Sequence, residues 1–97
     1  MPSANTLSIS DALVAYLRDS GLEQSVLEVQ IEEAWPKVMG EVVTRLTRSV
    51  EVKNGVLIVR VNSAALKTQL FENRFELVNK LNEAVGAKVI RDCRILG

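Results

Sequence analysis

One dipeptide, Asn54-Gly55, restricts what this chain can fold into more than anything else in it. It divides residues 48–61, RSVEVKNGVLIVRV, into two runs rich in β-branched residues. A two-residue type I′ turn needs positive φ at both central positions, and Asn-Gly tolerates this best. Val52 then faces Leu57, Val50 faces Val59, and Arg48 faces Val61. One face of the hairpin is Val50, Val52, Leu57, Val59 and Val61, and it must be buried. The other carries Ser49, Glu51, Lys53, Val56, Ile58 and Arg60, a mostly wet face with two apolar residues in it. A lone hairpin is marginal in water, so the flanking segments must supply a lid.

The lid is legible as helical periodicity. Residues 1–7 read as a frayed end, and Ser8 with Asp11 resembles a capping box that opens a first helix. Its stripe is Ile9, Ala12, Leu13, Tyr16 and Leu17, and Gly21 stops it. Residues 22–28 read as a short link or a turn of helix. A longer stripe follows, Leu27, Ile31, Ala34, Trp35, Val38, Met39, Val42, Val43 and Leu46, with a kink or restart expected at Pro36. Trp35 is the anchor of this stripe against the hairpin. After the hairpin, Asn62-Ser63 offers an N-cap to a third helix. Its buried edge is Leu66, Leu70, Leu77, Leu81 and Ala84 or Val85, with a break expected near Asn73. Phe71, Phe75 and Val78 widen that apolar surface. Gly86 ends the helix, and residues 87–96 read as a last strand with Val89, Cys93 and Ile95 inward.

The expected order is therefore helix, helix, strand, strand, helix, strand. The second strand, third helix and last strand form a β-α-β unit with parallel strands. The prediction is an α+β two-layer sandwich: a three-stranded mixed sheet covered on one face by helices, over residues 1–97 as a single domain.

Composition narrows the chemistry. A hydrophobic share of 47% is too high for a disordered chain, and no apolar run approaches the roughly 20 residues that span a bilayer. No basic leader precedes an apolar segment, and the lone Cys93 suits a reducing compartment, so the expected location is the cytoplasm. There is no histidine, so the commonest general base and metal ligand are missing. Cys93 has no partner for a zinc site. Glu32 and Glu33 point to different sides of a helix, and neither a Walker loop nor GxGxxG occurs. The expectation is a non-enzyme that needs no cofactor and no metal. Binding remains.

Net charge is zero, but its distribution is uneven. Residues 1–44 hold seven acids against two bases, whereas residues 45–97 hold ten bases against five acids. Such asymmetry leaves room for a basic patch on a neutral protein. Two surfaces are candidates. On the wet sheet face, Lys53 and Arg60, joined by Arg94, suit phosphate contact. Val56 and Ile58 beside them suit apolar contact or a sheet-to-sheet homodimer. On the third helix, Lys67, Phe71 and Arg74, with Phe75, Val78 and Lys80, suit a partner protein's helix.

The order of these features resembles the DciA-like family. The runs AWPKVMGEVV, KNGVLIVRVNSAALKTQL and LVNKLNEAVGAKVIRDCRI carry the likeness. Trp35 and Gly40 match its Trp-to-Gly spacing. Asn54, Gly55, Val56, Leu57, Val59 and Val61 match its strand. Ser63, Ala64, Leu66 and Leu70 match the helix start, and Leu77, Leu81, Asn82, Gly86 and Ile90 match the final motif. The resemblance implies a KH-like fold and a bacterial adaptor of DNA replication that recruits or loads a DnaB-type helicase, with weak DNA binding. Three parts of the family's pattern are missing: a second Trp where Ala65 or Leu66 stands, a long basic extension, and a GxxG loop. Helicase contact is thus better supported than DNA contact. The alternatives are a stand-alone KH-like nucleic-acid-binding module and a structural homodimer through the open sheet face.

Overall fold

The computed structural model describes residues 4–97. Three helices come first: α1 (Ala4–Ser20), α2 (Leu22–Met39) and α3 (Glu41–Leu46). Strands β1 (Thr47–Lys53) and β2 (Val56–Val61) form the hairpin. Helices α4 (Ala64–Glu72) and α5 (Arg74–Val85) lead to strand β3 (Asp92–Leu96). The sheet order is β1-β2-β3, with β1 antiparallel and β3 parallel to the central β2. This is the expected α+β arrangement, with two of the three predicted helices each divided in two.

The turn forms as predicted, with φ of 53° at Asn54 and 79° at Gly55. Val52 faces Leu57 and Val50 faces Val59. At the open end the register shifts: Thr47, not Arg48, pairs with Val61, so Arg48 is the extra residue of a bulge. Two hydrogen bonds hold Thr47 there. The Trp35 indole Nε1–H donates to Thr47 Oγ1 at 3.2 Å, and that hydroxyl donates to the Val43 carbonyl at 2.7 Å. Gly55 is buried beneath Arg91, whose guanidinium donates to the Asn54 carbonyl and whose backbone N–H donates to the Gly55 carbonyl. A Cβ on Gly55 would meet only the movable end of the Arg91 side chain, so the position favours glycine chiefly for its φ.

The core lies between the valine face and the helices. Val52, Leu57, Val59 and Val61 are buried, with Val50 half-buried at the edge. Ile31, Ala34 and Trp35 of α2 meet them, as do Leu66 and Leu70 of α4 and Leu77, Val78 and Leu81 of α5. Glu32 adds a polar contact: its carboxylate accepts the Val52 N–H at 3.0 Å, which occupies a donor on edge strand β1.

Several boundaries differ from expectation. Helix α1 begins at Ala4, ahead of Ser8, while residues 1–3 lie outside the described residues. Of its predicted stripe, Ala12, Leu13 and Tyr16 are exposed, not buried; the side chains of Ile9 and Leu17 are outside those described. Residues 22–28 are helix, because Gly21 in the left-handed conformation is the whole connection. The long stripe breaks at Gly40 and runs unbroken through Pro36. Gly40 adopts φ 87° and ψ 175°, a conformation open almost solely to glycine, and this redirects the chain into α3. Val42, assigned to the buried stripe, is consequently 69% exposed.

The third predicted helix divides at Asn73, as anticipated. Ser63 caps α4, its hydroxyl accepting the Leu66 N–H at 3.2 Å. The last strand starts at Asp92, not at residue 87. Cys93 and Ile95 face inward as expected, but Val89 and Ile90 are both buried, so alternation fails ahead of the strand. Asn82 is the reason. Its Oδ1 accepts the N–H groups of Val89 and Ile90 at 3.0 Å each, and its Nδ2 donates to the Ile90 carbonyl at 2.8 Å. The molecule measures 56 × 23 × 20 Å. Helix α1 packs chiefly on α2, and none of its described side chains belongs to the core cluster. Among the described residues, no helix is long and apolar enough to cross a membrane.

Candidate partner-binding surfaces

The open sheet face is built of three cross-strand rows. Lys53, Val56 and Asp92 form one, Glu51, Ile58 and Arg94 the next, and Ser49, Arg60 and Leu96 the third. All three predicted cations, Lys53, Arg60 and Arg94, therefore share this face. So do Glu51 and Asp92, and Lys53 Nζ lies 3.4 Å from Glu51 Oε2. Val56 and Ile58 sit in the central strand, half-covered between charged neighbours. Alternating signs of this kind give a surface without a single-sign field to draw a polyanion.

The residues proposed for protein contact do not form one site. Val56 and Ile58 are on the sheet face. Lys67 stands on the first turn of α4, where with Arg48, Asn62, Ser63 and Gly97 it lines a shallow cavity of about 370 Å³. Phe71 and Arg74 come together at the α4–α5 elbow, and Phe75 joins them. Arg74 lies over both rings, with its guanidinium carbon 4.2 Å from the Phe71 centroid and 4.6 Å from that of Phe75. Its Nη1 also donates to the Phe71 carbonyl at 3.0 Å. The break at Asn73 makes this geometry, since it turns α5 away from the axis of α4.

Phe71 and Phe75 are 53% and 64% exposed, while Val78 next along is buried. The apolar surface that the sequence joined into one edge is thus two: Val78 in the core and the phenylalanines outside. Beside the elbow a groove of about 380 Å³ opens between α2, α3 and the α4–α5 pair. Met39, Val43, Leu66, Leu70 and Leu77 floor it, and Glu76 and Lys80 stand at its side. Aromatic and arginine side chains are enriched where interfaces concentrate their binding energy, and a groove of this size accepts one or two apolar side chains. The sequence named Phe75 for this surface, but only its exposure separates it from core.

Cys93 belongs to no site. Burial first, and then the neighbouring Asp92 carboxylate, push its thiol up from 9.0 to about 12. A raised folded-state value means that the neutral thiol favours the fold below pH 9, and that this contribution is lost as pH rises from about 9 to about 12. Alkylation of Cys93 by iodoacetamide at pH 8 is expected to follow global unfolding in urea; rapid labelling of the folded chain would contradict the burial.

A family model described as Dna[CI] antecedent, DciA, matches residues 8–95. The chain belongs to the DciA family. Comparison with curated proteins returns no match. Membership ties this DciA-family chain to DNA replication and is consistent with a part in helicase loading. The match spans the hairpin, the elbow and the groove alike.

Proposed function

We propose that this DciA-family protein is a non-enzymatic adaptor of bacterial DNA replication that recruits or loads a DnaB-type replicative helicase. The helicase meets it at the Phe71–Arg74–Phe75 elbow and the adjoining groove. The observation that carries this reading is the exposure of two phenylalanines with one arginine lying over both rings. Such an arrangement suits a protein partner. An Arg already ordered between two rings loses little rotamer freedom on binding, and the rings offer rigid apolar area. DNA contact is secondary in this reading. Glu51 and Asp92 interrupt Lys53, Arg60 and Arg94, so binding of single strands to the sheet face is expected to be weak and salt-sensitive.

The test is co-elution with the host's helicase on a sizing column. The parent chain is expected to co-elute, and Phe71→Ala with Phe75→Ala is expected to weaken the complex by about a hundredfold, in line with loss of two interface anchors at 1–2 kcal/mol each. Both rings are exposed, so the double variant should fold. Lys53→Glu with Arg60→Glu should leave helicase binding intact. Clean separation of the parent chain from the helicase would defeat the reading.

A further inference from the structure

Helix α2 carries a second apolar line that faces away from the core. Leu22, Val26 and Val29 recur four and three residues apart, the spacing of a seam between two helices. At 100° per residue this line lies opposite the buried Ile31, Ala34 and Trp35. Each of its members is 45–49% exposed. The same line continues to Glu33 and Pro36, both exposed, so its apolar part ends after about two turns. On α1, across the Gly21 joint, Leu13, Val14 and Tyr16 are exposed as well.

Charge tells what kind of chain would cover this line. Residues 11–33 contain six acids and a single base, Arg18, and that base is paired with Glu23 at 3.4 Å. A second copy would set this acidic stretch against itself, and like charges brought together across an interface are unfavourable. The six apolar side chains also fall well short of the roughly 20–30 residues a side that a stable dimer uses. A helix with apolar residues on one side and lysines or arginines along its edges meets neither objection.

We infer that the α1–α2 arm is a docking surface for a basic amphipathic helix of a partner protein, seated on Leu22, Val26 and Val29 with a cation opposite Glu33. This surface shares no residue with the elbow and does not depend on the helicase reading. A helix-in-groove contact so small holds by steering as much as by burial, so it is salt-dependent.

The experiment titrates the full chain into a fluorescent synthetic helix of roughly 18 residues, about five turns, with leucines at 4-3 spacing and lysines beside them. Saturable binding is expected at low salt. Val26→Lys should weaken it about tenfold or more, a change of about 1.4 kcal/mol in the contact. Val42→Lys, at an exposed valine off the arm, should bind like the parent. The same peptide with glutamates in place of lysines should not bind. Equal binding by Val26→Lys, or by the glutamate peptide, would overturn the inference. So would sedimentation of the parent chain as a dimer that Val26→Lys dissociates, which would assign the line to a second copy.

Discussion

Trp35→Ala should lower the free energy of unfolding by about 3–5 kcal/mol, the cost of a large cavity at a site that cannot collapse. The indole is 1% exposed and packs in the cluster that includes Ile31, Leu57, Val59 and Leu81, none of which has solvent to move into. The loss also removes the donor to Thr47 Oγ1, which sits at the bulge where the hairpin departs from regular register. A domain of this size has about 5–15 kcal/mol in total, so the variant is expected to lie near the edge of folding. Trp35→Phe fills most of the space and gives up the hydrogen bond, at about 1–2 kcal/mol. Urea titration followed by circular dichroism separates the two. A Trp35→Ala midpoint within error of the parent would mean that the indole is not the anchor.

Asn82→Ala is the second large effect expected, at about 1–3 kcal/mol, because it removes the acceptor of the Ile90 N–H, the donor to the Ile90 carbonyl and one of the two acceptors of the Val89 N–H, which keeps the Ala87 carbonyl at 3.0 Å. Val89 and Ile90 are 5% and 3% exposed, and the Asn82 side chain is what ties their backbone to α5. Asn82→Asp keeps an acceptor for both N–H groups but turns the donor to the Ile90 carbonyl into a charged oxygen that repels it. It should fall between parent and alanine variant. At about 4–8 °C per kcal/mol for a chain of this length, thermal melting resolves the three easily. An alanine variant no worse than the aspartate would show that the clamp on residues 89–90 contributes little.

Asn82 also marks where sequence reasoning stops. The hairpin was legible because its determinants are local: a turn dipeptide and a period of two, both visible within 14 residues. Parallel pairing of β2 with β3 followed from chain order. The stretch before β3 was not legible, since burial of both Val89 and Ile90 depends on a side chain seven and eight residues upstream that periodicity does not register.

The helix breaks show the same limit from the other side. Pro36 looked the stronger breaker, yet inside a helix it forfeits one backbone bond, and α2 passes through it. Gly40 changed the axis, and an apolar stripe counted across it kept its apparent phase while Val42 rotated into water. Similarly, Leu22 and Val26 were read as part of a link because Gly21 was taken to end one helix well before the next began. A single left-handed residue was enough to join them.

Of the site, the residue types were legible and their grouping was not. Phe71 and Phe75 border the buried edge on any helical projection, and only the turn at Asn73 puts both outside with Arg74 between them. The cations Lys53, Arg60 and Arg94 were correctly gathered on one face, but Asp92 in the first row of β3 dilutes them.

The most direct test of the adaptor reading places a photo-crosslinking amino acid at position 71, 75 or 58 in turn and irradiates the chain with the host's DnaB-type helicase. Crosslinks to the helicase from positions 71 and 75, and none from position 58, are the predicted result. Crosslinks from position 58 alone would move the contact to the open sheet face and contradict the account.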